Sequence, residues 1–170
     1  MLTWTDDPAT SQAVTWRTAA RVDSAVAELT VATPHGGFGR IEGMQDSAVT
    51  VLATTQKLST DLGEASYHSV EFKGLLPEML YAYRVGDGAN WSEWFQFRTA
   101  SRQRKPFSFI YFGDAQREVK SQWSRVIRQA YKHASDARFV IHAGDLIDRH
   151  NRDAQWGEWF NAGGWLNGML

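Results

Sequence analysis

Gln12-Ala13-Val14-Thr15-Trp16-Arg17-Thr18 alternates, with Val14 and Trp16 on one side and Thr15 and Arg17 on the other. A period of two with one wet face predicts a half-buried β-strand. Similar runs recur at 25–32, 48–55, 66–73, 80–86 and 93–99. Turn material such as Thr33-Pro34-His35-Gly36-Gly37 and Gly86-Asp87-Gly88-Ala89-Asn90 divides them. With residues 2–5 this makes about seven short strands in the first hundred residues, the economy of an immunoglobulin-like sandwich. Leu75-Leu76-Pro77-Glu78-Met79-Leu80-Tyr81 spaces a Leu, a Pro and a Tyr as a tyrosine corner does, with the phenol tied back to upstream backbone. His68 alternates with Val70 and Phe72 and reads as a partly buried sandwich residue, while His35 reads as a wet turn residue. Trp91, Trp94, Phe95 and Phe97 read as core and packing residues rather than a sugar-stacking surface.

The period changes after a polar, charged segment at 101–106 that ends in Pro106 and reads as a linker. Phe107-Ser108-Phe109-Ile110-Tyr111-Phe112 is nearly all apolar, as expected of a strand covered on both faces, and it ends at Gly113-Asp114. Val119, Trp123, Val126, Ile127, Ala130, Tyr131 and Ala134 then recur at helical spacing over 119–134. A second apolar run, Phe139-Val140-Ile141-His142-Ala143, also ends in Gly-Asp, at Gly144-Asp145. Trp156, Trp159, Phe160 and Trp165 mark the apolar face of a second helix. The fold class expected is therefore two domains: an all-β sandwich over 1–100, then the start of a βαβα, α/β domain over 107–170.

The two aspartates are 31 positions apart, the length of one βαβ unit, which makes their strands parallel and the crossover right-handed. Both then leave the carboxyl ends of strands, where open α/β sheets place their ligands. Two carboxylates converging there repel unless one takes up a proton or a multivalent cation sits between them. Gln116 and Asp148 add further oxygen donors nearby. The plainer alternative is two ordinary turns, because Asp and Gly are common turn formers. His142 reads as a packed histidine bonded to a neighbouring loop. His150 reads as a loop histidine within reach of a phosphate, and His133 as a cation at a helix C-terminus.

Composition narrows the field. The chain has no cysteine, which excludes disulfides and thiolate metal sites. Its apolar share of 43% excludes an intrinsically disordered chain, and no apolar run approaches the roughly 20 residues of a membrane span. The start carries no signal-peptide pattern. The net charge of −1 conceals −5 through residue 100 and +4 after it. The positive excess lies in the 101–106 segment and along a helix, so it reads as solvated surface rather than a nucleic-acid site.

Phe109-Ile110-Tyr111-Phe112-Gly113-Asp114-Ala115-Gln116 and Phe139-Val140-Ile141-His142-Ala143-Gly144-Asp145-Leu146-Ile147-Asp148 resemble the first two metal motifs of the metallophosphoesterases, most closely the purple acid phosphatase-like branch. His68 to Pro77, Tyr81 to Gly86 and Trp94 to Thr99 are similar to the fibronectin type III-like domain that precedes the catalytic domain in such phosphatases. The resemblance implies that Asp114 binds one metal and Asp145 bridges two, iron with iron, zinc or manganese, for hydrolysis of a small phosphate monoester. It also implies a secreted or periplasmic setting. The sequence departs from the branch at Asp148, where purple enzymes carry a tyrosine, and at Gln116, where other members carry a histidine. The family's later histidine-bearing motifs do not follow. The chain is therefore expected to be an N-terminal fragment of a longer enzyme, inactive alone, with the general acid and phosphate-binding histidines outside it. Two rival readings are a glycan- or protein-binding module built on the sandwich and a magnesium-dependent aspartate phosphotransfer domain. Gln116 speaks against the second, standing where its motif needs another acid.

Overall fold

The computed structural model describes residues 1–32 and 47–170. The turn expected at 33–37, with His35, lies outside the described residues. The chain divides into two units: Met1–Leu58, Glu64–Arg104 and Met169 form one, and Ser59–Gly63, Lys105–Gly168 and Leu170 the other.

The first unit is built on two antiparallel sheets. One runs in the order β1 (Leu2–Thr3), β2 (Ser11–Ala19), β6 (Gly63–Lys73), β5 (Thr54–Thr60). The other runs β4 (Val49–Leu52), β3 (Val26–Val31), β7 (Leu80–Gly86), β8 (Phe95–Arg98). The alternation read from the sequence sets the inner faces. Val14 pairs with Val70, and both join Phe72 in one core with Ala27, Tyr81, Tyr83 and Phe97 of the other sheet. The Phe72 ring lies 6.3 Å from Tyr83 and 6.4 Å from Phe97, so the sheets pack face to face as a β-sandwich.

The run at 48–55 proves to be parts of two strands. The chain leaves β4, which pairs with β3, and enters β5, which lies beside β6, within one residue at Ala53. The tyrosine corner forms as expected: the Leu76 N–H donates to the Tyr81 hydroxyl at 2.9 Å. The buried Thr99 hydroxyl completes it, donating to the Leu76 carbonyl at 2.6 Å and accepting the Met79 N–H at 2.9 Å. His68 is fully buried between Thr18 (Nε2, 2.7 Å) and Thr55 (Nδ1, 2.8 Å), and burial lowers its pKa. Phe95 and Phe97 do line the core, but Trp91 and Trp94 do not. Their indoles lie 4.3 and 4.8 Å from the guanidinium carbon of Arg84, which also pairs with Glu28 at 2.7 Å. A cation between two aromatic faces explains these tryptophans better than core packing does.

In the second unit β9 (Ile110–Phe112) and β10 (Val140–His142) pair in parallel. A π-helical turn (Val119–Trp123) and α1 (Ser124–His133) connect them, and α2 (Asp153–Gly163) with a 3₁₀ turn (Gly164–Gly168) follows. Ile110 and Phe112 pack with Val119, Trp123, Ile127, Trp159 and Leu166 in one core. Ile127 goes inside at 4% exposure, as expected, and Ala130, Tyr131 and Ala134 pack against the same core, while Val126, expected on that face, is 50% exposed.

Among the described residues, the cover expected on both faces of the sheet exists on one only. Phe107, Phe109, Tyr111 and Ile141 are 62, 47, 65 and 40% exposed. Among the described residues the helices pack against the Ile110–Phe112–Val140 side alone. Of the four aromatics assigned to the last helix, Trp159 is buried, Trp156 is partly buried against the core, Phe160 is exposed, and Trp165 lies exposed in the 3₁₀ turn.

Candidate metal centre

The parallel ladder brings the two Gly-Asp turns side by side. Phe112 pairs with His142, and the Ala143 N–H donates to the Phe112 carbonyl at 2.8 Å. A Cβ built on Gly113 would stand 3.9 Å from that of Ala143, which extends the register into both turns. Asp114 and Asp145 thus leave the carboxyl ends of neighbouring strands, and both side chains are exposed. Each adopts a left-handed backbone, φ 56° at Asp114 and φ 49° at Asp145. That region is sterically costly for a residue with a Cβ, and Asp and Asn enter it most readily after Gly.

Buried neighbours hold both loops down. Ala115, directly after the first aspartate, sits in the core of this unit, and Ile147 does the same two residues after the second. On either side of Ala115, Gln116 Nε2 donates to Asp114 Oδ1 at 2.8 Å. Asp148 is exposed, with Arg149 Nε 3.7 Å from its Oδ2, a loose surface pair. His150 is exposed, and its carbonyl accepts the Trp156 Nε1–H at 2.9 Å, which ties the loop to α2. Among the described residues no three His, Cys, Asp or Glu side chains form a metal-holding group.

His142 differs from expectation. Its ring is held among Phe112 (5.6 Å), Trp123 (5.9 Å) and Trp159 (4.8 Å), and its Nδ1 is buried with no hydrogen-bond partner among the described residues. It is packed, as read from the sequence, but not bonded through that nitrogen to a neighbouring loop. The strand parity that points it at the helices surrounds it with rings instead of carbonyls, and burial lowers its pKa. Gln129 Nε2 lies 2.9 Å from His133 Nε2 in the last turn of α1.

Sequence reasoning placed both aspartates but missed three supports: the Gln116–Asp114 bond, the Ala115 and Ile147 anchors, and the Trp156–His150 tie. Apolar residues inside a polar loop, at 115 and 147, were the available signal for the anchors.

The solved structures that the chain resembles include the following three, each below 20% identity. A computationally redesigned β-sandwich protein is 17% identical, over 61% of this chain and 94% of that one, at a TM-score of 0.37. The sensor domain of the anti-sigma factor RsgI4 from Pseudobacteroides cellulosolvens is 13% identical, over 57% and 88%, at 0.35. PhoD is 18% identical, over 86% of this chain and only 27% of its own, at 0.47. No protein with a curated description matches the chain. The profile of the family described as Purple acid Phosphatase, N-terminal domain matches residues 1–99, the sandwich with its tyrosine corner. That match spans more than half of the sequence, so the chain belongs to the purple acid phosphatase N-terminal domain family.

Proposed function

We propose that residues after about 106 begin a metal-dependent phosphoesterase domain, and that Asp114 and Asp145 hold its cations, with Asp145 shared between two. The observation that supports this most is the pairing of β9 and β10, which sets two exposed aspartates at adjacent strand ends in the same left-handed conformation. The family of the first unit supplies the chemical class. The donors suit the group: they are carboxylates at the carboxyl edge of a parallel sheet, with Gln116 and Asp148 as further oxygens. The remaining donors of a two-metal centre are not among the described residues.

A bound pair of cations supplies a hydroxide at modest pH and neutralises charge on phosphoryl oxygens. This chain's residues do the holding. The left-handed turns hold the exposed carboxylates, Ala115 and Ile147 fix the loops, and His150, held through its backbone by Trp156, is the proposed phosphate contact. The proposed reaction is hydrolysis of a small phosphate monoester in a secreted or periplasmic setting, with iron beside iron, zinc or manganese. Neither nucleic acid nor a membrane span is part of the proposal. No helix among the described residues is long and apolar enough to cross a membrane.

The test is cation binding to the purified chain, with Asp114→Asn and Asp145→Asn as comparisons. Asparagine tolerates the left-handed backbone, so these variants remove charge without refolding the turn. Binding that drops at least tenfold in each supports the reading. Equal binding in all three proteins overturns it.

A further inference from the structure

We propose that Asp61 is a positioning residue of the second unit: it caps helix α2 from the turn between β5 and β6 and, through that helix, holds the loop that carries His150. The inference rests on His150 as the phosphate contact proposed above. Residues 59–63 belong to the second unit. An aspartate in a tight turn ordinarily bonds its own backbone. Asp61 does not. Among the described residues both of its oxygens go to the start of α2, Oδ1 accepting the Asp153 N–H at 2.8 Å and Oδ2 facing Arg152 Nη1 at 3.5 Å. The neighbouring Thr60 hydroxyl lies 2.9 Å from Oδ2 of Asp153, a carboxylate that is buried in the structure.

The helix has no cap of its own. The first N–H groups of a helix lack intrahelical partners, and a side-chain oxygen at the N-cap ordinarily takes one of them. Here the N-cap position falls on Arg152, extended at φ −102° and ψ 101°, whose side chain makes no capping bond. A guanidinium has no acceptor to offer. Asp61 supplies the oxygen from 92 positions away. The next residues of α2 then hold the loop in front of it. Gln155 Oε1 accepts the Arg149 N–H at 2.8 Å, and the Trp156 Nε1–H donates to the His150 carbonyl at 2.9 Å. The Arg152 N–H closes the turn on the Arg149 carbonyl at 2.9 Å. His150 is exposed, so its ring is placed by this backbone. Fraying of the first turn of α2 would loosen Gln155 and Trp156 together, and the loop with them.

The experiment compares the purified chain with Asp61→Ala, Asp61→Asn and Arg152→Ala. Hydrogen exchange is followed by NMR at the Arg149 amide and the Trp156 indole N–H, with the amide of Val14, buried in the sandwich, as the control. Inorganic phosphate is titrated against the ring protons of His150. Asp61→Ala is expected to speed exchange at both sites about fivefold, the effect of a typical lost cap, and to raise half-saturating phosphate by a similar factor. Asp61→Asn keeps an oxygen for the Asp153 N–H and should return both signals to within about twofold of wild type, a rescue that charge alone would not produce. Arg152→Ala removes only the exposed ion pair and should match wild type. Exchange unchanged in Asp61→Ala, or raised equally in Arg152→Ala, overturns the role of Asp61. If Asp61→Ala does not fold, Asp61→Asn decides: wild-type exchange supports the cap, and exchange about fivefold faster or more overturns it. Exchange that responds as expected, while phosphate leaves the His150 ring of wild type unshifted, overturns the phosphate contact and leaves the cap standing.

Discussion

Replacing Tyr81 by Phe removes one atom from the sandwich. The ring, buried and 5.7 Å from Phe97 in a stacked arrangement, keeps its packing, so the lost term is the hydrogen bond from the Leu76 N–H at 2.9 Å. A buried donor left without a partner costs about 1–3 kcal/mol. Here the bond is only part-buried and water can reach the amide in part, which places the expected loss at about 1–2 kcal/mol. For a unit of this size each kcal/mol lowers the midpoint by about 4–8 °C, so a drop of about 4–16 °C is expected. Urea and thermal denaturation of the whole chain measure it, with the urea slope unchanged because no additional surface is exposed. Thr99→Val provides an internal check. It removes the hydroxyl that grips the Leu76 carbonyl and the Met79 N–H, so its effect should be non-additive with that of Tyr81→Phe. A Tyr81→Phe protein within about 0.5 kcal/mol of wild type, the range of an inconsequential surface change, would refute the corner as a stabilising device.

Three other outcomes follow from the packing. His142 is charged in the unfolded chain below about pH 6.5 and resists charging when buried, so the unfolded state binds more protons there. Its contribution to stability is complete above about pH 6.5 and is lost as pH falls from there toward the lower folded pKa; His142→Phe should flatten that part of a denaturation-against-pH curve, and an unchanged slope would count against it. Ile127→Ala should cost about 2–5 kcal/mol in chemical denaturation and Val126→Ala under about 0.5, a contrast that equal losses would abolish. Phe109→Ser with Tyr111→Ser should lower binding of a hydrophobic dye at little cost in stability, and a strongly destabilised protein would mean that this face is not exposed.

The sandwich was legible because each strand has one wet face, so that alternation carries its own register, as in Val14 opposite Val70. The sheet change at Ala53 was not legible, because a strand that switches partners keeps its alternation through the switch. Val126 was misplaced for a different reason. Helical periodicity does not fix where an apolar stripe ends: Val119, Trp123, Ile127, Ala130, Tyr131 and Ala134 keep the core side through the π-helical turn, and Val126 falls just outside it. The bare side of β9 was missed because an apolar run reports what a strand is suited to, whereas cover depends on what lies beside it. At the candidate site the backbone was legible and the side-chain detail was not. Crossover length and handedness place Asp114 beside the second turn, but nothing in the one-dimensional pattern links Gln116 back to Asp114.

The proposed site and a pair of ordinary turns make different demands on the strained residues at the two strand ends. Glu78 and Glu118 also have positive φ, so a left-handed acidic residue is not by itself a sign of function. Glu118 has a local role, its carboxylate accepting the Ser121 hydroxyl at 2.6 Å, and the Glu78 carbonyl accepts Arg98 at 2.7 Å. Asp145 has glycine immediately before it, at φ 98°, so the turn has already used the residue that adopts such angles freely and still places a carboxylate at the next strained position. If Asp145 served only the turn, glycine would serve it better. Relief of the left-handed cost, about 1–2 kcal/mol, outweighs the roughly 0.5–1 kcal/mol of extra backbone entropy glycine loses on folding. Asp145→Gly is therefore expected to leave stability unchanged or raise it by up to about 1 kcal/mol, while Asp145→Ala lowers it by about 1 kcal/mol. Cation binding should fall in both. Denaturation of the two variants beside wild type decides the stability half, and metal titration the other. A glycine variant clearly less stable than wild type would show that the aspartate holds the turn together, and the carboxylate would then need no cation to explain its place.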